Sequence, residues 1–366
     1  MNPLPITTDA ALAAVAAALA AGPRLALDTE FMRERTYYAE LALVQLAGAD
    51  DIVLVDPLAG IDPAILAAVL AVPGQVKVLH AARQDVEVLL PITDAPLAPV
   101  FDTQVAAGLL GYPPQVGYGE LVLKEMGKTL DKGHQRTDWT RRPLSAAQLE
   151  YAADDVRWLL PLAAQLESKL ADVGRLDWLA EDFAALADAR LYRVDPADAW
   201  QRLKAIETLP VGEQLRLRAL AAWRETRAMR RNLPRGWVIT DDAARAIARR
   251  SPQDVATIKA LDVMPPGAAD KMGEEILAAL EGARTASAEG IVQRADARPD
   301  PAERELARRL GERLREVATA LAIAPEVVAT QRDLRRLAHG EALETVLTGW
   351  RRLVLGAALE AELARG

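Results

Sequence analysis

The chain has 366 residues, enough for two or three domains with separate cores, and its formal net charge at pH 7 is −8. It contains no cysteine, which excludes a disulfide framework and any cysteine-ligated metal, and its three histidines argue against a histidine-rich zinc site. Carboxylates are therefore the obvious candidates for ligands of any metal.

The first predicted element is an alanine-rich helix that begins near Thr8 and Asp9, which are good capping residues. Its apolar run, AALAAVAAALAA, could be mistaken for a signal sequence. No basic segment precedes this run, and it is too short to span a bilayer. We therefore expect a soluble, cytoplasmic protein that does not associate with membranes.

A short buried strand is predicted from Leu25 to Phe31, and this strand carries Asp28 and Glu30. Alternate side chains share one face of a strand, so both carboxylates point the same way. Two close negative charges raise each other's pKa unless a cation separates them, and Mg²⁺ prefers oxygen ligands of this kind. The same Asp-x-Glu pattern is also ordinary where a strand runs out into a solvated loop, so the pair alone leaves both interpretations open.

An alternation of strands and helices follows, and it predicts a mixed sheet flanked by helices, an α/β fold. The first two strands after residue 40 are joined by a short turn, which indicates an antiparallel meander at one side of the sheet. The second of the predicted helices carries Asp85, and a single aspartate on a helix is usually exposed. These strands are predicted at Leu41–Ala47, Ile52–Val55, Val76–Leu79 and near Val100, and the helices from Pro63 and Ala81.

A capping box formed by Ser145 and Gln148 predicts a helix that begins near residue 145. Tyr151 and Asp155 are four residues apart in this helix and therefore lie on one face. A surface Tyr–Asp pair that only stabilises the helix is the alternative. After about residue 160 the strand patterns fade, and the rest of the chain is predicted to be almost entirely helical.

The three acidic segments together form a pattern that is more specific than any one of them. If they converge, four carboxylates meet without a matching cation, which points to divalent metal and phosphoryl transfer. The order of these motifs resembles that in the tyrosine-containing branch of the DEDD 3′→5′ exonucleases. The sequence segments around the motifs resemble those of the ribonuclease D family within that branch. Those segments are LALDTEFMRERTYY, HAARQDVEVL, FDTQVAA and LDKGHQRTDWTRRPLSAAQLEYAADDVRWL.

This resemblance covers about the first half of the chain and implies a ribonuclease H-like exonuclease domain. The segment from Leu209 to about Ala283 resembles a helicase-and-ribonuclease-D C-terminal (HRDC) domain, a small all-α bundle that binds nucleic acid or proteins. A weaker segment of the same type runs from about Pro299 to the end. We therefore expect an exonuclease domain over 1–170, a helical connector over 171–208, a first HRDC domain over 209–288 and a second HRDC-like domain over 299–366.

The resemblance also implies a mechanism and a substrate. Asp28, Glu30, Asp85 and Asp155 would hold two divalent ions, Mg²⁺ or Mn²⁺, and Tyr151 would orient the attacking water. The substrate would be RNA with a free 3′ end, in particular precursor tRNA, and the products 5′-mononucleotides. A DNA 3′→5′ exonuclease and a catalytically weak nucleic-acid-binding scaffold remain alternatives. The residues imply no protein partner.

Charge separates the two halves of the chain and suggests where RNA binds. Residues 1–200 hold 16 Lys and Arg against 28 Asp and Glu, a balance of −12, whereas residues 201–366 hold 28 against 24, a balance of +4. Ten arginines and three acidic residues stand within 216–250, so phosphate contacts are expected there. Arginine outnumbers lysine 36 to 8 in the whole chain, however, so the alternative is that these arginines reflect the general composition of the sequence and not RNA binding. The candidate RNA-contacting residues are Thr29, Phe31, Lys132, Gln135, Arg227, Arg230, Arg231 and Arg235.

Overall fold

In the computed structural model, the described residues are 4–49, 51–131, 133–134, 137–206, 209–288 and 300–365. They cluster into two compact units. The first, here called the sheet unit, comprises the described residues of Met1–Met32, Leu41–Tyr192 and Asp300–Gly366. The second, here called the helical unit, comprises those of Arg33–Glu40 and Arg193–Pro299.

The sheet has the mixed topology that the sequence predicts. Among the described residues it contains five strands in the order β3-β2-β1-β4-β5. Strand β2 is antiparallel to β3, whereas β1 is parallel to β4 and β4 to β5. The strands are β1 (Arg24–Met32), β2 (Glu40–Ala47), β3 (Ile52–Val55), β4 (Val76–Leu79) and β5 (Val100–Asp102).

The register of β1 and β4 determines where the acidic residues of β1 lie. Arg24 to Ala26 pair with the residues from Val76 to Val78, and the apolar residues of β1 up to Leu27 are fully buried. Because the two strands are parallel, their carboxyl ends lie at the same edge of the sheet. Asp28 and Glu30 are at this edge, and so is the start of the helix that follows β4.

Helices flank the sheet, and several begin where the sequence predicts. Thr8 caps the first helix, and the Ser145–Gln148 capping box starts α6 as expected. None of the helices in the described part of the chain combines the length and the apolar character needed to cross a bilayer. The helices are α1 (Asp9–Ala21), α2 (Pro63–Leu70), α3 (Arg83–Thr93), α4 (Thr103–Leu109), α5 (Tyr118–Met126), α6 (Ala146–Arg157), α7 (Leu159–Asp172) and α8 (Leu179–Leu186).

The described chain beyond residue 160 contains no strand, as the sequence predicts. The helical unit has its own core, in which Leu217, Leu220, Ile247 and Ile276 are fully buried. Its helices are α9 (Val211–Arg231), α10 (Arg235–Val238), α11 (Asp241–Arg250), α12 (Val255–Ala260) and α13 (Ala268–Gly282), after a 3₁₀ segment at Pro196–Arg202.

The last bundle of the chain repeats this plan inside the sheet unit. Its helices have 21, 4, 8, 4 and 15 residues, against 21, 4, 10, 6 and 15 in the helical unit. In both bundles the long helix ends at a left-handed residue, Asn232 or Ala322, and a short helix and a threonine cap follow. The helices are α14 (Pro301–Leu321), α15 (Pro325–Val328), α16 (Gln331–Ala338), α17 (Leu343–Val346) and α18 (Gly349–Leu363).

This last bundle shares one apolar core with α4 and α7 of the sheet unit. The Arg175 guanidinium donates to the carbonyl oxygens of Leu109 at 2.8 Å and Leu321 at 2.6 Å, which joins the two sets of helices. Gly111 has φ +92°, and a Cβ there would lie 2.4 Å from the Ala322 carbonyl oxygen, so the close approach requires glycine. The last bundle is thus packed into the sheet unit.

Candidate active site

Three of the predicted carboxylates meet at the carboxyl edge of the sheet. Strand β1 supplies Asp28 and Glu30, and α6 supplies Asp155. One oxygen of each lies within 4.8 Å of the others, and all three side chains are half-buried. The two strand residues point to the same side because they are two positions apart, as the alternation predicts.

The fourth carboxylate, Asp85, lies in the first turn of α3 and is only 6% exposed. The alternative, that a single aspartate on a helix is usually exposed, does not hold for Asp85, because the helix packs back over the edge of the sheet. The Thr29 hydroxyl donates to Asp85 Oδ1 at 2.6 Å. Thr29 precedes Glu30 on β1, so this bond ties α3 to the strand that carries the other two acids.

The electrostatics of this cluster are unfavourable in the absence of a cation. Burial, followed by repulsion from Asp85, Asp155 and Glu30, raises the pKa of Asp28 well above its usual value. Burial, followed by repulsion from Asp155 and Asp85, raises the pKa of Glu30 to about 9. Burial also raises the pKa values of Asp85 and Asp155 to about 7. Each of these carboxylates therefore resists ionisation where it stands.

No ion pair relieves this repulsion within the described part of the chain. None of the salt bridges within 4.0 Å there involves Asp28, Glu30, Asp85 or Asp155. Their neighbour Asp154, by contrast, pairs with Arg157 at 2.6 Å. A cluster of hard oxygen ligands without a protein cation is the donor set that a divalent metal ion takes.

Tyr151 stands beside Asp155 on α6, and its hydroxyl partly offsets the rise in the Asp155 pKa that burial causes. Burial, followed by the charges of Asp155, Glu30 and Asp28, raises the pKa of Tyr151, so the phenol stays protonated. Its ring lies 6.0 Å from the ring of Trp139 and 6.1 Å from that of His134. Tyr151 can therefore donate and orient but is unsuited to remove a proton.

The loop before α6 holds this tyrosine in place through Arg142. The guanidinium makes a bidentate ion pair with Asp56, at 2.6 and 2.7 Å. It also donates to the carbonyl oxygens of Ala42 at 2.8 Å and Trp139 at 2.6 Å. These bonds tie the loop to β2 and to the end of β3, and so they keep Trp139, 2% exposed, against Tyr151.

Sequence reasoning missed two residues near the carboxylates. Tyr118, at the start of α5, accepts from the Trp158 amide at 3.2 Å, and its pKa is raised by burial and by Asp155 and Asp28. No pattern links Tyr118 to the acidic motifs, since it stands alone in another helix. His134 lies in a segment that already matched the family, so its contact with Tyr151 could have been anticipated.

The candidate RNA-contacting residues fall into different groups. The Thr29 hydroxyl is engaged by Asp85, and Phe31 is half-buried on β1. Lys132 and Gln135 lie outside the described residues. Arg227 is ion-paired with Glu275, and Arg235 with Glu225 at 2.6 Å. Arg230 and Arg231, which end α9, are exposed and are the two arginines of this set best placed to meet a phosphate.

Comparison with known proteins agrees with this geometry. Residues 3–171 match a family model described as a 3′-5′ exonuclease, and residues 213–280 match the HRDC domain. Ribonuclease D of Acidiphilium cryptum is 42% identical over 363 residues, 97% of this chain and 91% of that protein. Ribonuclease D of Gluconacetobacter diazotrophicus is 42% identical over 367 residues with the same coverage. The crystal structure of Escherichia coli RNase D, an exoribonuclease involved in structured RNA processing, matches with TM-score 0.87 and 32% identity, covering 100% of this chain and 99% of that one.

Proposed function

The chain belongs to the ribonuclease D family and is a 3′→5′ exoribonuclease, and we propose that it trims the 3′ ends of precursor tRNA. It would release 5′-mononucleotides in succession from a free 3′ end. The observation that carries the proposal is the cluster of Asp28, Glu30 and Asp155, whose oxygens lie within 4.8 Å of one another at the edge of the sheet. Such a substrate is intracellular, so the proposal includes a cytoplasmic location.

The proposed domain organisation is the one that the sequence predicts. An exonuclease domain would occupy 1–170, a helical connector 171–208, a first HRDC domain 209–288 and a second HRDC-like domain 299–366. The nearly equal helix lengths of the two bundles support the assignment of the second. Its shared core with α4 and α7 supports a role in completing the exonuclease domain.

The exonuclease type implies a divalent metal, and the donor set fits one, because it offers carboxylate oxygens alone. We propose two ions, Mg²⁺ or Mn²⁺. Asp28, Glu30 and Asp155 would hold one, and Asp28 and Asp85 the other. Bound ions of this kind lower the pKa of water and neutralise negative charge on the departing oxygen.

The protein's own side chains would position the reactants. Tyr151, which stays protonated beside Asp155, would hydrogen-bond the attacking water and set its line of approach. Thr29 would fix the carboxylate of Asp85 through its 2.6 Å hydrogen bond. The buried Trp139, packed against Tyr151, would keep the tyrosine in this position.

Contacts with the RNA would come from both units. Thr29 and Phe31 flank Glu30 on β1 and would meet the terminal nucleotide, as would Lys132 and Gln135, which precede α6 in the chain. Further along the strand, phosphates would be bound by Arg227, Arg230, Arg231 and Arg235. The exposure of Arg230 and Arg231 supports this assignment best.

The test follows a 5′-labelled single-stranded RNA, and a DNA of the same sequence, with and without Mg²⁺ or Mn²⁺. We expect a metal-dependent ladder that shortens from the 3′ end, is absent for Asp28→Ala and is weak on DNA. Asp154→Ala is the matched control, because it removes a neighbouring carboxylate of α6 that is paired with Arg157.

Other outcomes would identify the alternatives. No shortening with either metal, while RNA binding is retained, would contradict the proposed catalysis and favour the scaffold. Equal shortening of DNA and RNA would favour a general 3′→5′ exonuclease. If Asp154→Ala lost as much activity as Asp28→Ala, the loss would not be specific to the cluster of Asp28, Glu30 and Asp155.

A further inference from the structure

The helical unit exposes two large aromatic side chains near its most basic segment. Trp237, on α10, is 60% exposed, and Tyr38, in the segment Arg33–Glu40, is 45% exposed. An exposed tryptophan loses apolar burial that a core position would provide. Exposed aromatic rings beside cations are the elements from which proteins build sites for single-stranded nucleic acid.

A network within the helical unit holds Tyr38 close to α10. Asn232 Oδ1 accepts from the backbone amides of Tyr37 at 3.1 Å and Tyr38 at 3.0 Å. The rings of these two tyrosines meet edge to face, with centroids 4.9 Å apart. The Arg235 guanidinium stands 5.1 Å from the Tyr37 ring, and Trp237 follows two residues later. Tyr38 is therefore next in the chain to the tyrosine that contacts Arg235, and Trp237 lies two residues after that arginine on α10.

Buried bonds beneath this surface make it rigid. The Tyr37 hydroxyl donates to Glu225, and Arg235 Nε donates to the same carboxylate at 2.6 Å. The Glu225 side chain is 1% exposed. A surface that is already ordered loses little further conformational entropy when a ligand binds.

In the last bundle, the position equivalent to Trp237 is covered by a neighbouring helix. There Val327 stands where Trp237 does, in a short helix after a left-handed residue and before a threonine cap. A Cβ on Gly108 would lie 3.5 Å from the Val327 side chain, so the last bundle uses this position to pack on α4. The bundle of the helical unit has the larger tryptophan side chain at this position and leaves it exposed.

The charge around Trp237 favours a polyanion. Arg230 and Arg231 are exposed in the last turn of α9, just before Asn232. Two of the three acidic residues within 216–250 are neutralised, since Glu225 pairs with Arg235 and Asp241 with Arg224. Exposed cations beside exposed rings match the alternating phosphates and bases of a single strand.

We propose that Trp237 and Tyr38 form a stacking platform for the bases of single-stranded RNA, with Arg230 and Arg231 binding the adjacent phosphates. Stacking tolerates every base, as an exonuclease that removes each nucleotide in turn requires. Tyr38 stands eight residues after Glu30 in the chain, in the segment that leaves β1. The choice of RNA rests on the proposed function, whereas the platform itself rests on the exposure and geometry of these residues.

Binding of a fluorescein-labelled 12-nucleotide single-stranded RNA to the full chain, measured by anisotropy in EDTA, tests the platform without turnover. Trp237→Ala is expected to bind about 5- to 100-fold more weakly, Tyr38→Ala to lose affinity in the same direction, and Trp237→Phe to restore most of the binding. Leu353→Ala, at a position 80% exposed in the last bundle, is the matched control and should bind as the parent does. Unchanged affinity in Trp237→Ala would overturn the platform.

Salt dependence separates stacking from charge. The slope of log affinity against log salt should stay unchanged in Trp237→Ala and lose about 0.7 in magnitude in Arg230→Ala or Arg231→Ala. A reduced slope in Trp237→Ala, without rescue by phenylalanine, would contradict a stacking role.

Hydrolysis in Mg²⁺ separates failure of the platform from failure of the proposed function. Trp237→Ala should raise KM for the 12-nucleotide RNA about 5- to 100-fold, with kcat unchanged, and should cleave a dinucleotide as the parent does. If the parent hydrolyses RNA and the variant changes neither binding nor KM, the platform fails and the function stands. If the parent hydrolyses no RNA while the variant weakens binding, the function fails and the platform stands.

Discussion

The cluster of Asp28, Glu30 and Asp155 is half-buried and the carboxylate of Glu225 is buried, but the two differ most in their neighbours. At the edge of the sheet, Asp28, Glu30 and Asp155 face one another, and no described cation pairs with them. In the helical unit, Glu225 accepts hydrogen bonds from Arg235 and Tyr37, with Arg202 at 3.8 Å.

These neighbours shift the two kinds of carboxylate in opposite directions. Burial alone would raise the pKa of Glu225, but the bonds from Arg235 and Tyr37 lower it below its usual value. Burial and mutual repulsion raise the pKa of Asp28 and that of Glu30. A buried acid that has its partners avoids the cost of an unpaired charge, whereas an unpaired cluster costs stability and is retained for what it binds.

The largest expected effect is the loss of hydrolysis when the unpaired cluster loses one charge. Asp28→Asn keeps the side-chain shape but removes the negative charge and replaces one carboxylate oxygen with an amide nitrogen, and we expect kcat on single-stranded RNA to fall by at least about 10³-fold. Asp154→Asn should retain activity close to that of the parent. Substantial activity in Asp28→Asn would show that the cluster does not serve catalysis.

Removal of the paired acid should instead lower local stability. Glu225→Ala leaves Arg235 and Tyr37 without their shared acceptor, and we expect the helical unit to lose about 1–3 kcal/mol of unfolding free energy. Amide hydrogen exchange of α9 measures this change, and Glu281→Ala, at an exposed ion pair with Arg284, should shift it by less than about 1 kcal/mol. Equal shifts in the two variants would remove the distinction between buried and exposed pairs.

The unpaired cluster should respond in the opposite sense. In the chelated protein, Asp28→Asn relieves repulsion, and we expect the sheet unit to gain at least about 1 kcal/mol, a rise of about 2–4 °C in its melting temperature. Asp154→Asn, which breaks an ion pair with Arg157, should produce no gain. Destabilisation by Asp28→Asn would mean that the carboxylates are not strained in the folded state.

The pH dependence of stability should have opposite signs in the two units. The folded-state pKa values of about 7 for Asp85 and Asp155 and about 9 for Glu30 exceed their unfolded values. The folded chelated protein therefore binds more protons than the unfolded chain between about pH 4 and 9, so the stability of the sheet unit falls as pH rises through that window.

Glu225 behaves in the reverse way because its folded-state pKa is lowered. Its contribution is present above the unfolded value of about 4.3 and is lost as pH falls through the folded value. Hydrogen exchange of β1 and α9, corrected for the intrinsic pH dependence, measures both slopes. Addition of Mg²⁺ should abolish the slope at β1 and leave α9 unchanged, and slopes of equal sign would contradict the comparison.

Much of the architecture could be predicted because its signals are local. The burial of Leu25 to Leu27, the alternation that aligns Asp28 with Glu30, and the Ser145 capping box depend on neighbours within a few residues. Strands β3 and β4 have the predicted bounds for this reason. The resemblance of the surrounding segments to the ribonuclease D family predicted which local motifs belong to one site.

Other features were decided only by tertiary packing. Tyr37 lies in the segment after β1 but finds its partner Glu225 on α9, 188 positions later. Arg227 and Arg235 form ion pairs with glutamates, and Asp85 is buried against Thr29. These contacts also depend on which faces of distant elements meet. The sequence by itself determined the elements and the order of the acidic motifs, since capping and side-chain periodicity act over short range. Only the tertiary structure decided which charges are paired, because pairing depends on the distance between atoms that the chain separates.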